Sequence, residues 1–383
     1  MKTEQIVIRK PTDFNASKLQ PLVKLNPQVV FAFADCNFFE DPGFAKKLKA
    51  EFPNAHVIGC STAGEINNNG ITSGSLALTA TAFKNPKIKF ASAASKGLAD
   101  SESMGHRLAE SLAAPDLTAI FILAQGVNVN GSSMIQGMQK KIGDKVIITG
   151  GLAGDSGRFT KTFVMLDENV MNEGCVAIGF YGDAVKVSFG SVGGWQAFGP
   201  SRKVTRVESN ILYEIDGTPA LTVYKNYLGE FAKDLPGSAL HFPLSVLENG
   251  EDKSDLIRTI LGIDEKNGSL ILAGDVPQDG NVRLMHAQTA DLMKGAGQAA
   301  DQAGKGIVSG DAEDSMGILV SCVGRKLVVG EEDIEEEVEV VRASLKGAPV
   351  TGFYSNGEIC PSSGVVTDCR LHNQTMTITV FRD

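Results

Sequence analysis

The 383-residue chain has no CxxC pair among its six cysteines, one tryptophan, five histidines, and no apolar run near the ~20 residues a membrane helix needs. Each shortage removes a class of function. Without CxxC spacing neither a zinc ribbon nor a redox pair is indicated, and without CxxCH a covalent c-type haem is excluded. The cysteines lie mostly in or beside apolar strands, so free buried thiols are the expectation, with no disulfide among Cys36, Cys60, Cys175 and Cys322. Positive charge is also short. Lys plus Arg number 36 against 45 Asp plus Glu, and the net −9 argues against nucleic acid or anionic membrane as the main partner. The start, MKTEQIVIRK, carries charge at both ends and no apolar stretch, so no secretory signal is read and a cytoplasmic location is expected.

Glycine, by contrast, is abundant, with 42 residues clustered at strand ends. The chain is organised around one such place, VIGCSTAGEI at 57–66. It reads as a short buried strand that runs into small residues suited to a tight turn or a close backbone approach. Shifted by 90 positions the pattern recurs at 146–155, with Ala153-Gly154-Asp155 over Ala63-Gly64-Glu65. It recurs at 350–359, with Gly352 over Gly59 and Gly357-Glu358 over Gly64-Glu65. An apolar strand precedes each copy, at 29–36, 118–125 and 317–324, followed by a helix-like or acidic run. After the first two copies comes what reads as a hairpin, 74–83 with 87–93 and 174–182 with 185–193. The unit is therefore strand, helix, strand, Gly-acid turn, strands, with the third copy incomplete. The expected fold class is α/β in a mixed α+β form: two domains, 1–206 and 207–383, of internally duplicated strand-helix-strand units with mixed sheets.

Past GGWQAFGPSRKVT at 193–205, residues 204–215 alternate like a strand and Asp216-Gly217 makes a turn. Thr218 offers an N-cap hydroxyl and Pro219 a first-turn proline for a helix over 220–231. Short apolar runs at 240–246, 256–263, 269–276 and 281–287, with turns at 248–251, 265–268 and 277–280, predict an antiparallel meander. A small-residue helix over 289–303 follows. In the acidic run at 331–340, Ile334 and Val338, continued by Val341, keep helical spacing, which predicts an amphipathic helix with a solvated acidic face rather than a metal cluster.

Six motifs in order resemble the FIST sensory family: IGCSTAGEI at 58–66, GWQAFGP at 194–200 with Val204-Thr205, GTPAL at 217–221, FPL at 242–244, SCVGR at 321–325, and TGFYSNGEI at 351–359. The resemblance covers about 29–361 and implies FIST N and FIST C domains acting as a ligand-sensing input module in bacterial signalling. A chain with no attached kinase or receiver region is similar to the nitric-oxide-sensing haem proteins of that family. This implies b-type haem as cofactor and a sensor histidine kinase or a cyclic-di-GMP enzyme as partner. The alternative is a haem-free sensor of a small metabolite such as an amino acid. Membrane and nucleic acid are not expected partners, and a homodimer is among the assemblies allowed.

A b-type haem needs an axial ligand, usually imidazole, in an apolar pocket. His286, in LMHA at 284–287 at a strand-to-helix junction, ranks first, with soft apolar surface from Leu284, Met285, Leu292 and Met293. His241, between Leu240 and Phe242, ranks second. His106 falls on a charged helix face, His372 in a polar turn, and His56 at the entry to the central strand. Glu65, Asp155 and Glu358 are candidate carboxylates for an amine-bearing ligand; otherwise each follows a turn glycine and meets solvent or backbone N–H groups. An enzyme is the remote alternative, with Cys60 as nucleophile and His56 as base. Four residues along a strand put their α-carbons about 13 Å apart, too far to touch.

Overall fold

The computed structural model describes residues 1–247, 256–305, 307, 312–362 and 366–383; the turn expected at 248–251 lies outside them. Three α/β units follow one another. The first is β1 (Lys2–Ile8), α1 (Ala16–Lys24), β2 (Val29–Ala34), α2 (Cys36–Phe39), α3 (Phe44–Glu51), β3 (His56–Ser61), the hairpin β4 (Glu65–Asn67) and β5 (Gly70–Thr72), and β6 (Leu76–Ala82). The second is β7 (Ile88–Ala94), α4 (Ser101–Leu112), β8 (Leu117–Ala124), α5 (Gly131–Ile142), β9 (Ile147–Leu152), the hairpin β10 (Val164–Leu166) and β11 (Asn169–Met171), and β12 (Gly174–Tyr181). The third opens with β13 (Lys186–Val192) and is then interrupted. The interruption holds β14 (Gln196–Ala197), β15 (Arg202–Glu208), β16 (Ile211–Ile215), β17 (Thr218–Pro219), α6 (Ala220–Leu228), β18 (Leu244–Leu247), β19 (Ile257–Arg258), β20 (Ile260–Asp264), β21 (Ser269–Leu272) and β22 (Asn281–His286). The unit resumes with α7 (Thr289–Ala303), β23 (Ser315–Cys322), α8 (Val323–Val329), α9 (Ile334–Ser344), β24 (Val350–Ser355), the hairpin β25 (Gly357–Pro361) and β26 (Cys369–His372), and β27 (Met376–Arg382). The third copy is thus complete, with an inserted sheet between its first strand and its first helix.

Each unit builds the same sheet, β1-β6-β2-β3, β7-β12-β8-β9 and β13-β27-β23-β24, in which the last two strands are parallel. The open edge of each sheet is closed by another unit's hairpin. β10 pairs with β3, β25 with β9, and β4 with β24, so the three units exchange hairpins in a ring. The hairpins read from the sequence at 74–93 and 174–193 do not form. β6 lies between β1 and β2, and β12 between β7 and β8, so neither has a free edge for the strand that follows it. The links at 83–87 and 182–185 instead carry the chain from one sheet to the next.

The strands of the parallel pairs are buried on both faces, which is why they read as unbroken apolar runs. Period two still sorts them. Phe31 and Phe33, Phe121 and Leu123, and Ile318 and Val320 point into one central core shared by all three sheets. Rings from different units touch there: Phe31 with Phe121 at 6.1 Å, Phe33 with Phe353 at 4.9 Å, and Phe121 with Phe381 at 6.1 Å. The opposite faces pack on α1 to α3, on α4 and α5, and on α7 and α9. One glycine per unit makes the parallel pairing tight. A Cβ on Gly59, Gly150 or Gly352 would stand 2.0, 1.8 or 1.9 Å from the carbonyl oxygen of Ala32, Ile122 or Leu319 on the neighbouring strand.

The inserted residues form an antiparallel sheet in the order β19-β18-β22-β15-β16-β21-β20 around a separate core that includes Val204, Tyr224, Val246 and Leu284. Its strands are antiparallel as expected but not in simple sequential order. Position 207 falls inside β15. Thr218 does not cap α6: it is held in a bridge to Ile215, Pro219 occupies the N-cap, and no side chain caps the helix. The helix stops at Leu228 before Gly229 at φ +56, which leaves Phe231 57% exposed. α9 buries Ile334, Val338 and Val341, but its acidic face is not all solvated, because Glu337 is fully buried. Arg325, also fully buried, is the reason. Its guanidinium donates to Glu337 Oε1 at 2.9 and 2.7 Å, to the Leu292 carbonyl at 2.8 Å, and to the Gly193 carbonyl. Ser321 and Tyr354 hydroxyls donate to the other Glu337 oxygen. Among the described residues no helix is long and apolar enough to cross a membrane.

Candidate functional site

The ring brings the three Gly-acid turns together. The Ala63 N–H donates to the Tyr354 carbonyl at 2.8 Å, the Tyr354 N–H returns a bond to Gly64 at 2.9 Å, the Gly154 N–H donates to Ser61 at 2.8 Å, and the Asn356 N–H donates to Leu152 at 3.2 Å. The crossing is so close that a Cβ on Gly154 would lie 2.6 Å from the Ala63 nitrogen. The acids beside these glycines are 0–1% exposed, and each closes a loop. Glu65 accepts from Thr62 Oγ1 on one oxygen, and from Ser75 N–H at 3.1 Å and Ser75 Oγ at 2.7 Å on the other. Glu358 repeats this with Ser355 Oγ at 2.7 Å and with Thr375 N–H and Oγ1 at 3.1 and 3.0 Å. Burial pushes both carboxyls up to about 7, against the pull of these hydrogen bonds. Asp155 accepts from the N–H groups of Phe159, Thr160 and Lys161 at 2.8, 2.7 and 3.1 Å. All three acids are occupied as anchors of the backbone.

Asp155 matters to the surface through the loop it folds. It holds Phe159 at φ +53, a left-handed conformation that costs a bulky residue of order 1–3 kcal/mol, with the ring 47% exposed. That ring stands in a cleft between the ring of units and the inserted sheet. The cleft has two adjoining cavities, of about 200 and about 430 Å³, which share Phe159, Leu261, Ala273 and Asn356. One wall comes from just beyond the carboxyl ends of the parallel strands: Gly126 after β8, Leu152 at the end of β9, Val323 after β23, and Asn356 after β24. Crevices at strand carboxyl ends are the usual ligand position in α/β sheets. The other wall is the inserted sheet, with Thr259, Leu261 and Leu272. It is tied down by Arg258 Nη1 on the Leu371 carbonyl at 3.0 Å, Gln374 Nε2 on the Leu240 carbonyl at 3.2 Å, and Asn130 Nδ2 on Asp275 at 3.2 Å.

One feature separates this cleft from ordinary surface. Of the seven large apolar side chains exposed among the described residues, four line it: Leu98, Phe159, Leu261 and Leu327. Thr259 Oγ1, Asn356 Oδ1 and Asn373 Oδ1, on residues of the smaller cavity, are buried beneath its surface with no hydrogen-bond partner, as are side-chain atoms elsewhere, Thr149 Oγ1 and Thr351 Oγ1 among them. Such atoms cost roughly 1–3 kcal/mol each and call for an explanation. Sequence reasoning missed all of these residues. One signal was available, since Asn356 stands where the other two copies have Ala63 and Ala153.

The histidines lie elsewhere. His286 is half-buried at the end of β22, with the rings of Phe198 and Phe242 at 6.2 and 6.4 Å. Its expected apolar surround is divided, because neighbours on a strand face opposite ways. Leu284 packs in the core of the inserted sheet, whereas Met285 shares a cluster with Trp195 and with Leu292 and Met293 of α7. His241 is exposed at the end of a 3-10 turn. His372 is buried in β26, with its ring against the Cys360 carbonyl at 3.0 Å, and not in a polar turn. His56 pairs with Asp167 at 2.8 Å and stacks on Phe90, while Cys60 is buried in the central core with its thiol pushed well up by desolvation. Among the described residues, the linings of both cavities hold no imidazole or thioether. Their one soft donor is Cys322, whose thiol burial also pushes well up, against the thiolate that iron would need. These residues do not fit an axially ligated haem. No cluster of three or more potential metal ligands occurs among the described residues.

A cleft with an apolar lip over the carboxyl ends of strands is where α/β proteins that bind small ligands commonly hold them. The chain belongs to the FIST family: the FIST N domain pattern matches residues 28–218 and the FIST C domain pattern residues 220–361. FIST domains are small-ligand sensor domains of signalling proteins. The boundary between the two matches falls inside the inserted sheet, so the third unit begins in the first match, resumes in the second and ends beyond it, with β26 and β27 past residue 361. Among curated proteins the chain is similar to the uncharacterized protein MJ1623 of Methanocaldococcus jannaschii, 34% identical over 86 residues. That stretch is 22% of this chain and 17% of that protein. Among solved structures it is similar to the cyanuric acid hydrolase of A. caulinodans, at 9% identity over 99% of this chain and 98% of that one, with a TM-score of 0.34.

Proposed function

We propose that this protein senses a small molecule bound between the inserted sheet and the ring of units, without haem, and passes the binding event to a signalling partner in the cytoplasm. The partner implied by the family resemblance is a sensor histidine kinase or a cyclic-di-GMP enzyme. The observation that carries this reading is the cleft itself, two adjoining cavities walled on one side by the carboxyl ends of the parallel strands and on the other by the inserted sheet, with Leu98, Phe159, Leu261 and Leu327 exposed along it. The cleft has one wall on each of two bodies with separate cores, so a ligand that bridges them favours the closed arrangement by its differential affinity.

The test is a thermal-stability screen of small metabolites on the wild type, on Asn373→Leu and on His286→Ala. A true ligand at 100 times its Kd stabilises the wild type by about 2.7 kcal/mol. Its effect should vanish in Asn373→Leu and persist in His286→Ala. An absorption spectrum of protein made with ample haem separates the haem reading. A stoichiometric Soret band that His286→Ala abolishes would replace this proposal with a haem-based nitric oxide receptor.

A further inference from the structure

We infer that the ligand of this cleft is an amphipathic cation, a small primary amine on an apolar body, whose ammonium group sits on Asp275. The inference rests on the reading of the cleft as the binding site and adds the charge of what that site holds. Across the linings of the two cavities, Asp275 is the one charged side chain among the described residues. It is partly buried, and both of its side-chain donors line the same cavity: Ser209 Oγ at 2.7 Å and Asn130 Nδ2 at 3.2 Å. These donors are neutral, so they orient the carboxylate and leave its negative charge in place. They also leave it acceptor capacity, since a carboxylate offers about four lone-pair sites. Among the described residues no lysine, arginine or histidine pairs with it. Arg258 borders a neighbouring cavity that Asp275 also lines, but its guanidinium is turned to the carbonyls of Ile257, Leu371 and Asp275 itself. An anion entering the larger cavity would therefore meet a like charge and no counter-charge. An ammonium group would gain an ion pair in a site partly removed from water. The rest of the cleft suits a hydrocarbon body. Leu98 lines the larger cavity, Leu327 the smaller, and Phe159 and Leu261 both, so an apolar surface continues from the cavity of Asp275 into its neighbour.

The probe is a matched trio on one frame: phenethylamine (cation), phenethyl alcohol (neutral) and hydrocinnamate (anion). Each is titrated into the full-length protein by calorimetry at neutral pH, up to tens of millimolar. The amine should bind at least about tenfold tighter than the alcohol, and the acid more weakly than either. In the wild type that advantage should shrink as salt is raised, a readout that needs no variant. Asp275→Asn, which keeps an acceptor for Ser209 and Asn130, should remove the advantage and leave the alcohol unchanged. Leu261→Ala, at an exposed position lining both cavities, should weaken amine and alcohol alike. An alcohol or acid that binds as tightly as the amine, and is weakened by Leu261→Ala, overturns the charge assignment and leaves the cleft standing. Amine binding weakened by Leu261→Ala alone overturns the role of Asp275. Amine binding unaffected by both variants overturns the cleft itself. No binding by the amine overturns the inference.

Discussion

Glu65 and Glu358 look from the sequence like ligand carboxylates and turn out to be backbone clamps. Their burial has a consequence in pH. Each carboxyl moves from 4.5 to about 7 in the folded state, so the native protein binds these protons more tightly than the unfolded chain. The stability they contribute is full below about pH 4.5 and is lost as pH rises through 7, about 3 kcal/mol per group over the whole span. Denaturant unfolding of Glu65→Gln, compared with wild type between pH 5 and 8, should show a shallower decline in stability with rising pH. Equal slopes would mean that Glu65 is ionised in the fold throughout. Glycine followed by acid, three times over, was legible as important. Which of solvent, ligand or backbone meets the acid was not, because Ser75 and Thr375 reach it only through the closed hairpin.

At the scale of elements, α9 shows how a pattern can be right and incomplete. Ile334, Val338 and Val341 gave the helix and its apolar face from spacing alone. Glu337 sits in the same acidic run as its exposed neighbours, and nothing local marks it as buried. Arg325, twelve positions earlier at the start of α8, decides that by bridging Glu337 to the carbonyls of Gly193, just after β13, and Leu292, in the first turn of α7. Arg325→Met should cost about 3–5 kcal/mol, because it strands a buried carboxylate. The double variant Arg325→Met with Glu337→Leu should recover much of that loss in chemical denaturation. A double variant as weak as the single one would place the cost in lost packing instead. The same limit explains the failed hairpins. Local spacing matched a hairpin link, but β6 and β12 already had partners on both sides.

For the molecule as a whole, the hairpin exchange makes each sheet incomplete without another unit, while the inserted sheet has its own core. Native-state hydrogen exchange should therefore place amides of β2, β8 and β23 in one class that opens at a single free energy, with the inserted strands opening at a lower one. Separate opening energies for β2 and β23 would show that the units are independent after all.

The sequence by itself determined the three-fold repetition, the apolar strands buried on both faces, the helical period of the acidic run, and the family, since all of these are written in residue order at short range. Tertiary structure alone decided the ring, the placement of the insertion inside the third unit, and the cleft. The cleft collects Asn356 from a repeat turn, Thr259 and Leu261 from the insertion, Phe159 from the loop that Asp155 folds, and Asn373 from beyond β26. These residues are up to 214 positions apart and share no spacing, so only the closure of the ring beneath the inserted sheet brings them to one cavity.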